Sequence, residues 1–366
     1  MGFSSLNEVS LVFHEVCHIM KKSFLAFMLA AATATFGLTG CGGDDSSSSS
    51  AKAASASEPV VLRLGFENHP GEPFTEGCEK WKELLEQRSN GTMKIELYPS
   101  SQLGSKDDIM DMMVAGEPVS TLTDGAFYYD RGVYDMGIVF GPFLFNSWEE
   151  AFKLNKSDWY KQQSDILSQK AHIKIVSTDW RYGARHTLTT KPVNKIEDFH
   201  GLKIRVPTNI IQIKGFEVLG ATPTPMALGE VYTSIQQGTI DGVENPLAVL
   251  YNGKFHEVAK YLLMDGHVYN VTNLVVGVDF WNSLTPEQQK LLQETCDEAG
   301  AYQNQLQEQA EAEILKKFEA EGVTITYPDD AFKAQLKEAS QKFYTLPDFK
   351  DWSPNLYETV NKAMHE

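Results

Sequence analysis

The sequence is poor in cysteine. Only four cysteines occur in 366 residues, and two of them, Cys17 and Cys41, lie near the N-terminus. The rest of the chain keeps Cys78 and Cys296, and whether these two form a disulfide stays open. A single pair is not the framework of a small disulfide-stapled domain. The fold must therefore depend on a hydrophobic core.

Positive charge is also scarce. Lys and Arg total 32 against 49 Asp and Glu, which gives a formal net charge of −17. Neutralising a phosphate backbone requires clustered Lys and Arg, so this balance argues against nucleic-acid binding. It leaves room for a small anion, because a few positive side chains can concentrate in a dry cleft.

Motifs of catalysis and cofactor binding are missing as well. The chain has no G-x-S-x-G elbow, no P-loop, no C-x-x-C and no G-x-G-x-x-G after a strand. The segment HEVCH at residues 14–18 fits the zinc-protease pattern H-E-x-x-H, but it precedes a targeting signal and has no folded body around it. We therefore predict no catalytic residue, no metal and no cofactor.

The N-terminal region has the pattern of a secretory signal. From Met20, the more natural start, the chain reads two lysines, a short apolar run and then LTGC, which ends at Cys41. This ending resembles a bacterial lipobox, which implies cleavage before Cys41 and lipid on that residue. The Ser- and Ala-rich residues 41–58 then predict a flexible tether. We expect a periplasmic or otherwise extracytoplasmic protein that the lipid anchor alone holds at a membrane.

From residue 61 onward, strand-like and helix-like segments alternate, as in VLRLGF, GEPFTEGCEKWKELLEQRS and MKIELY. This alternation predicts a parallel α/β sheet, and the length suggests two domains. Loops at the carboxyl ends of parallel strands form ligand sites, so residues 67–73, 101–106 and 123–124 should face a cleft. HIKIVSTDWRYGARHTLTT is expected to form two strands separated by Gly183.

Two arginines and an asparagine form the candidate anion receptor. Arg185 and Arg205 lie in short strand-like runs, and Asn245 lies in the turn DGVENP. A guanidinium is a planar fork of donors that matches a carboxylate through two bonds. Pro207 ends the second run and leaves Arg205 beside a helix N-terminus, which itself favours anions.

The same stretch resembles a known family. GARHTLTTKPV, EDFHGLKIRVP and LGATPTPMALGEVYTSIQQGTIDGVENP are similar, in order and spacing, to blocks of the DctP-type solute-binding subunits of TRAP transporters. The resemblance implies that Arg205 pairs with a substrate carboxylate, with Arg185 and Asn245 in support. It also implies membrane-embedded transporter subunits as partners.

The fold implied by the resemblance is α/β, with two lobes like those of periplasmic binding proteins, a ligand cleft between them and a long spine helix across both. The helical pattern near the C-terminus has Thr285 as candidate cap, Pro286 near its start and Gly322 at its end. We place the boundaries at 1–40 (upstream extension and signal), 41–58 (tether), 59–182 with 271–310 (lobe I), and 183–270 with 311–366 (lobe II).

Further candidate ligand contacts are Glu67, Trp180, Thr208 and Leu228. Glu67, Lys106 and Leu228 differ from the residues of the sialic-acid subgroup, which argues against sialic acid. Lys106 favours a dicarboxylate if it meets a second carboxylate, whereas Trp180, Tyr182 and Phe127 favour an aromatic acid if they stack on it.

We predict a monomeric protein that captures a small organic acid and is not an enzyme. The alternatives are a sensory ligand-binding lipoprotein and, less favoured, a secreted hydrolase.

Overall fold

The structure, a computed structural model, describes residues 58–366. The predictions for the upstream extension, the signal peptide, lipidated Cys41 and nearly all of the tether lie outside these described residues. Within residues 58–366, no helix combines the length and the apolar composition that crossing a bilayer requires.

One mixed sheet of nine strands forms the centre of the described chain. The strands are β1 (Val60–Gly65), β2 (Met93–Tyr98), β3 (Val119–Thr123), β4 (Ile173–Thr189), β5 (Lys203–Val206), β6 (Thr222–Pro225), β7 (Gly242–Pro246), β8 (Tyr261–Gly277) and β9 (Thr324–Thr326). Their order is β2-β1-β3-β8-β4-β7-β5-β6, and β9 pairs with β8.

Helices connect these strands and cover the sheet. They are α1 (Pro73–Arg88), α2 (Lys106–Val114), α3 (Gly125–Asp130), α4 (Trp148–Lys156), α5 (Asp158–Ala171), α6 (Ile210–Glu217), α7 (Val231–Gln236), α8 (Leu247–Asn252), α9 (Phe255–Val258), α10 (Val278–Ser283), α11 (Pro286–Ala320), α12 (Asp330–Gln341) and α13 (Leu356–His365). Short 3₁₀ turns lie at Tyr134–Phe140, Ile196–Phe199, Leu228–Glu230, Lys342–Thr345 and Pro347–Phe349.

The two long strands β4 and β8 join the two lobes. One end of the β4–β8 pair adjoins β3, at Ser120–Thr123, and the other end adjoins β7, at Gly242–Pro246. The first lobe therefore contains β1, β2 and β3, and the second contains β5, β6 and β7. This confirms the two-lobed α/β fold with a cleft, whereas the residue boundaries of the lobes stay a prediction.

Two details of the predicted sheet are wrong. The sheet is mixed rather than parallel, because β8 runs antiparallel to both β3 and β4, and β4 runs antiparallel to β7. Gly183 also does not separate two strands: β4 is one element of 17 residues with register shifts, one of them between Arg181 and Gly183. Gly183 has φ +133°, a conformation that only glycine adopts readily, so the strand bends there without ending.

Side chains from the long helix support this irregular part of β4. Asn304 accepts a hydrogen bond from the Arg181 N–H (2.6 Å) and donates to the Asp179 carbonyl (2.7 Å). Gln303 donates to the Arg181 carbonyl (2.9 Å). Backbone groups that lose their partners at the bulge are thereby satisfied.

The long helix α11 has 35 residues and begins at the predicted cap, where Thr285 accepts from the Gln288 N–H. It packs against α1 in the first lobe and against α8 and β9 in the second, so the predicted spine helix is confirmed. In α1, the predicted apolar face of Phe74, Cys78, Trp81 and Leu85 is buried. Cys78 and Cys296 are buried free thiols.

The last helix packs against the first half of the chain. Val360 and Met364 of α13 share a hydrophobic cluster with Ala151 and Leu154 of α4. The predicted boundaries assign these two helices to different lobes, so this contact is where the division of residues 311–366 needs testing.

The packing of α1 on α11 yields a stability prediction. A Cβ at Gly77 would lie 2.6 Å from Gln303 Cβ and 2.8 Å from the Trp180 ring, closer than atoms can pack. Gly77→Ala should therefore lower the free energy of unfolding by about 1–3 kcal/mol, measured by urea denaturation. The matched control is Gly215→Ala, also within a helix, where the nearest atom is 3.9 Å away. It should leave stability unchanged or raise it by up to about 1 kcal/mol. Equal effects of the two variants would contradict this packing.

Candidate functional site

A narrow cleft lies beside β4 and β8, where the two lobes meet. Its walls are the loops after β1, β3 and β5, the start of α2, and side chains of β4, β7 and β8, as expected for the carboxyl ends of strands. The lining residues are Glu67, Lys106, Leu122, Asp124, Phe127, Tyr182, Arg185, Arg205, Pro207, Gln212, Leu228, Asn245, Asn270 and Thr272.

The structure brings five of the seven predicted site residues together in this cleft. These are Glu67, Arg185, Arg205, Leu228 and Asn245. The other two lie elsewhere, as the following paragraph describes.

Trp180 is fully buried, where its ring packs against Phe74 and α11 rather than against the cleft. Thr208 donates a hydrogen bond to Asp107 (2.8 Å) at an exposed position outside the lining. Of the residues considered for stacking, Tyr182 and Phe127 do line the cleft.

Arg205 has an unusual environment for a buried cation. Its side chain extends from β5, the residue is 3% exposed, and Nε and Nη2 both donate to the Met226 carbonyl, at 2.9 and 2.7 Å. No carboxylate among the described residues lies within 4.0 Å of the guanidinium. Burial lowers the pKa of Arg205 to about 10, although the more distant charges of Glu67 and Glu244 oppose this effect. Nη1 and one N–H of Nη2 therefore remain as donors for another partner.

Arg185, in contrast, is already paired. Its Nε and Nη2 donate to the two carboxylate oxygens of Glu244 at 2.5 and 2.7 Å, and Nη1 donates to the Asn270 amide oxygen at 3.0 Å. Both charged side chains are almost fully buried. Burial alone would raise the pKa of Glu244, but the Arg185 guanidinium holds it below its usual value. This bidentate pair fixes Arg185 on β4 against β7 and leaves one N–H of Nη1 uncommitted.

A buried row of alternating charges continues behind this pair. His267 Nε2 lies 3.1 Å from Glu244 Oε2, and its Nδ1 lies 3.2 Å from Asp265 Oδ2. Burial would lower the pKa of His267, but Asp265 and Glu244 raise it to about 9, so the ring is a cation at neutral pH. Thr187 also donates to Asp265, at 2.7 Å. The row Arg185, Glu244, His267, Asp265 thus alternates in sign.

Asn245 and Gln212 complete the polar wall near the arginines. The predicted turn at Asn245 is wrong, because residues Gly242–Pro246 form strand β7, which pairs with β4. Asn245 is buried there, and its side chain makes no hydrogen bond to another described side chain or backbone group. Gln212 is held by Asn209, which donates to its amide oxygen at 2.6 Å. An unpaired amide that lines the cleft is available to a ligand.

The opposite wall carries charges of both signs. Lys106 Nζ lies 3.4 Å from Glu67 Oε2 and 4.6 Å from the centroid of the Phe127 ring. Asp124 caps α3, where it accepts from the Ala126 N–H at 3.0 Å. Burial raises the pKa of Asp124, and Lys106 and Arg185 partly offset that effect.

A larger groove lies between α4, α5 and α11 but is shallow and open. Its charged residues include Lys156, Lys161 and Asp165, and the Lys156 side chain is 70% exposed. Exposed charges in such a groove interact mainly with water, so we take the narrow cleft as the candidate site.

The sequence alone did not reveal Glu244, His267 and Asp265. Glu244 stands directly before Asn245 within the run GVENP, and a carboxylate in a buried strand requires a partner. That signal depends on recognising GVENP as a buried strand, whereas the sequence pattern predicts a turn there. His267 and Asp265 lie on β8 and reach Glu244 only through tertiary contact.

The model of bacterial extracellular solute-binding protein, family 7 (DctP) matches residues 64–348 of this chain. The chain belongs to this family. The resemblance read from the sequence blocks is thereby confirmed.

Relatives of known structure or name agree with this assignment. A TRAP periplasmic solute binding protein from Ochrobacterium anthropi, solved with bound L-fuconate, is 42% identical with a TM-score of 0.80, over 84% of this chain and 99% of that one. A second, from Actinobacillus succinogenes with bound L-galactonate, is 39% identical with a TM-score of 0.79 over the same shares. The sialic acid-binding periplasmic protein of Vibrio cholerae is 31% identical over 84% of this chain and 93% of its own.

The contrast between the two arginines predicts opposite stability effects. Arg185→Met leaves Glu244 buried without its partner, so the free energy of unfolding should fall by about 3–5 kcal/mol. Arg205→Met removes a buried cation that has no acidic partner, so stability without added ligand should change by less than about 1 kcal/mol. Urea denaturation of both variants checks this, and equal losses would show that Arg205 is also a structural ion-pair partner.

The charge row predicts a pH dependence of stability. The folded pKa of His267, about 9, lies above its usual 6.5, so its contribution is complete below about pH 6.5 and is lost as the pH rises through 9. The gap in unfolding free energy between wild type and His267→Gln should therefore shrink across this window by up to about 3 kcal/mol. Burial raises the pKa of Glu72 to about 8, but Glu72 titrates in both proteins and cancels in the difference. A gap that is constant with pH would mean that His267 is neutral.

Proposed function

We propose that this chain captures a hydroxylated monocarboxylic acid of the sugar-acid class in the cleft and delivers it to the membrane subunits of a TRAP transporter. The observation that carries the proposal is Arg205, a buried guanidinium without a carboxylate partner in the described chain. A ligand carboxylate supplies that partner and compensates the charge that burial otherwise penalises.

The roles of the neighbouring residues follow from their free donors. Arg205 offers the Nη1 pair and one N–H of Nη2, so it can hold both oxygens of a carboxylate. Asn245 offers an unpaired amide at the same wall, and Arg185 adds one N–H and positive charge while Glu244 holds it in place. Each charge-assisted bond contributes about 1.5–3 kcal/mol.

The remainder of the cleft suits hydroxyl groups rather than a second charge. A dicarboxylate is favoured only if Lys106 meets a second ligand carboxylate. Lys106 already pairs with Glu67, which removes that argument for a dicarboxylate. Glu67 and Asp124 accept from hydroxyls, and Leu228 and Tyr182 offer apolar surface to the carbon chain. Two solved relatives, at 42% and 39% identity, hold L-fuconate and L-galactonate, which are both hydroxylated monocarboxylates.

Two rival ligands have less support. The Vibrio cholerae relative is named for sialic acid, but it is the more distant of the three at 31% identity. An aromatic acid would need stacking surface, and Trp180 lies in the core instead of the cleft. Tyr182 and Phe127 alone leave a narrow, mostly polar space.

The proposal includes three features inferred from the sequence. Lipidation of Cys41 would anchor the protein at a membrane, so that the ligand is delivered from a tethered carrier. Closure of the lobes would follow ligand contact with both, which shifts the open and closed populations. The role is capture without a chemical step; a sensory lipoprotein would use the same cleft but would signal to a receptor.

The test is a binding measurement by calorimetry on protein that was unfolded and refolded to remove co-purified ligand. We expect L-galactonate or L-fuconate to bind, and succinate and N-acetylneuraminate to bind at least about 100-fold more weakly. Arg205→Met should lower the affinity for the acid that binds by about 10- to 150-fold, because one or more charge-assisted hydrogen bonds are lost. Unchanged affinity in Arg205→Met would mean that the ligand carboxylate does not bind at Arg205. A preference for succinate would mean that the ligand is a dicarboxylate rather than a sugar acid.

A further inference from the structure

The ion pair between Glu67 and Lys106 lies in the first lobe's wall of the cleft. Lys106 is the first residue of α2, whose start is fixed by a capping box between Ser105 and Asp108. Glu67 lies two residues after the end of β1, in the loop that leads to α1. The Glu67 side chain is 16% exposed and the Lys106 side chain 11%, so water screens their charges little and each acts strongly on a ligand in the cleft.

Lys106 faces more negative charge than it can offset. Glu67 Oε2 lies 3.4 Å from its Nζ, and buried Asp124 is close enough that Lys106 acts on its pKa. Three cations, Lys106, Arg185 and Arg205, face the carboxylates Glu67, Asp124 and Glu244, but Glu67 pairs with Lys106, which also acts on Asp124, and Glu244 pairs with Arg185. Only Arg205 lacks a direct acidic contact within the described residues. The cleft thus has one vacant position for negative charge.

A second ligand carboxylate would have to lie beside Glu67 and Asp124. Like charges at such distances in a desolvated site repel strongly, so one carboxylate would have to take up a proton or leave. A hydroxyl meets no such penalty, because it donates to either carboxylate and accepts from the Lys106 ammonium. Discrimination of this kind comes from an unfavourable element against the wrong ligand.

We propose that the Glu67–Lys106 pair is a specificity filter: Glu67 occupies the lysine that would otherwise bind a second carboxylate, so that the cleft accepts aldonates and rejects aldarates. This inference rests on the proposed function, because it explains how a sugar-acid site distinguishes acids with one carboxylate from acids with two. Glu67 and Lys106 act as specificity-determining residues, separate from the carboxylate clamp at Arg205.

The experiment uses two acids that differ at one carbon. Galactarate is L-galactonate with its terminal hydroxymethyl group replaced by a second carboxylate. Calorimetry should show that wild type prefers L-galactonate by at least about 100-fold. In Glu67→Gln, Lys106 is released to pair with the second carboxylate, so the preference should fall by at least 10-fold. The ratio of the two affinities is the readout, because removing Glu67 also favours any anion at nearby Arg205.

The double variant Glu67→Gln/Lys106→Met is the matched control. It also lacks the Glu67 charge but offers no ammonium, so its preference for L-galactonate should be clearly stronger than that of Glu67→Gln. Binding of L-galactonate by every variant, with a cooperative thermal transition, shows that each is folded.

Each contrary result has a distinct meaning. If wild type binds galactarate as well as L-galactonate, or if Glu67→Gln leaves the ratio unchanged, the filter is refuted and the proposed function stands. If the double variant loosens the preference as much as the single one, Lys106 is not the receptor and the pair does not act as proposed. If wild type binds neither acid but binds another, the ligand class itself is wrong and the filter is refuted with it.

Discussion

The bidentate pair between Arg185 and Glu244 is the constraint on which the site depends. It joins β4 to β7 in the buried centre, where two charges persist only because each satisfies the other. His267 and Asp265 extend the pair into a row of alternating sign, which keeps Glu244 ionised. Because Arg185 is paired with Glu244, the two predicted arginines differ in role. Arg185 holds β4 against β7, whereas Arg205 keeps unpaired N–H donors in the cleft.

Local signals in the sequence predicted those elements whose causes are local. Helix α11 was predictable because Thr285 and Pro286 mark its start and Gly322 follows its end, and α1 because its apolar residues recur at helical spacing. The mixed sheet was not predictable in this way. The direction of β8 beside β3 and β4 is set by pairing between segments far apart in the chain, which strand propensity does not encode. The same holds for β4, which continues through Gly183 because β8 and α11 support the bulge.

The site shows the same division. Arg205, Asn245 and Glu67 were predicted from a motif resemblance and from strand ends, and the cleft brings them together. Trp180 lies between two register shifts of β4, and its side chain points inward to α1 and α11. Because such shifts change which face of the sheet a side chain occupies, its direction could not be predicted by alternation along the sequence. Glu244 was missed because its partner lies on another strand, although a carboxylate next to Asn245 in a buried run was itself an indication.

A buried Arg205 without an acidic partner is unfavourable for stability taken alone, since burial lowers its pKa and water no longer solvates it. Such a group persists at a position where a ligand supplies the missing charge. The other charged residues of the cleft lining are Glu67 after β1, Lys106 at the start of α2, Asp124 at the cap of α3 and Arg185 on β4. The proposed selectivity follows from counting charges: Arg205 is the cation that has no acidic contact among the described residues, whereas Lys106 is paired with Glu67.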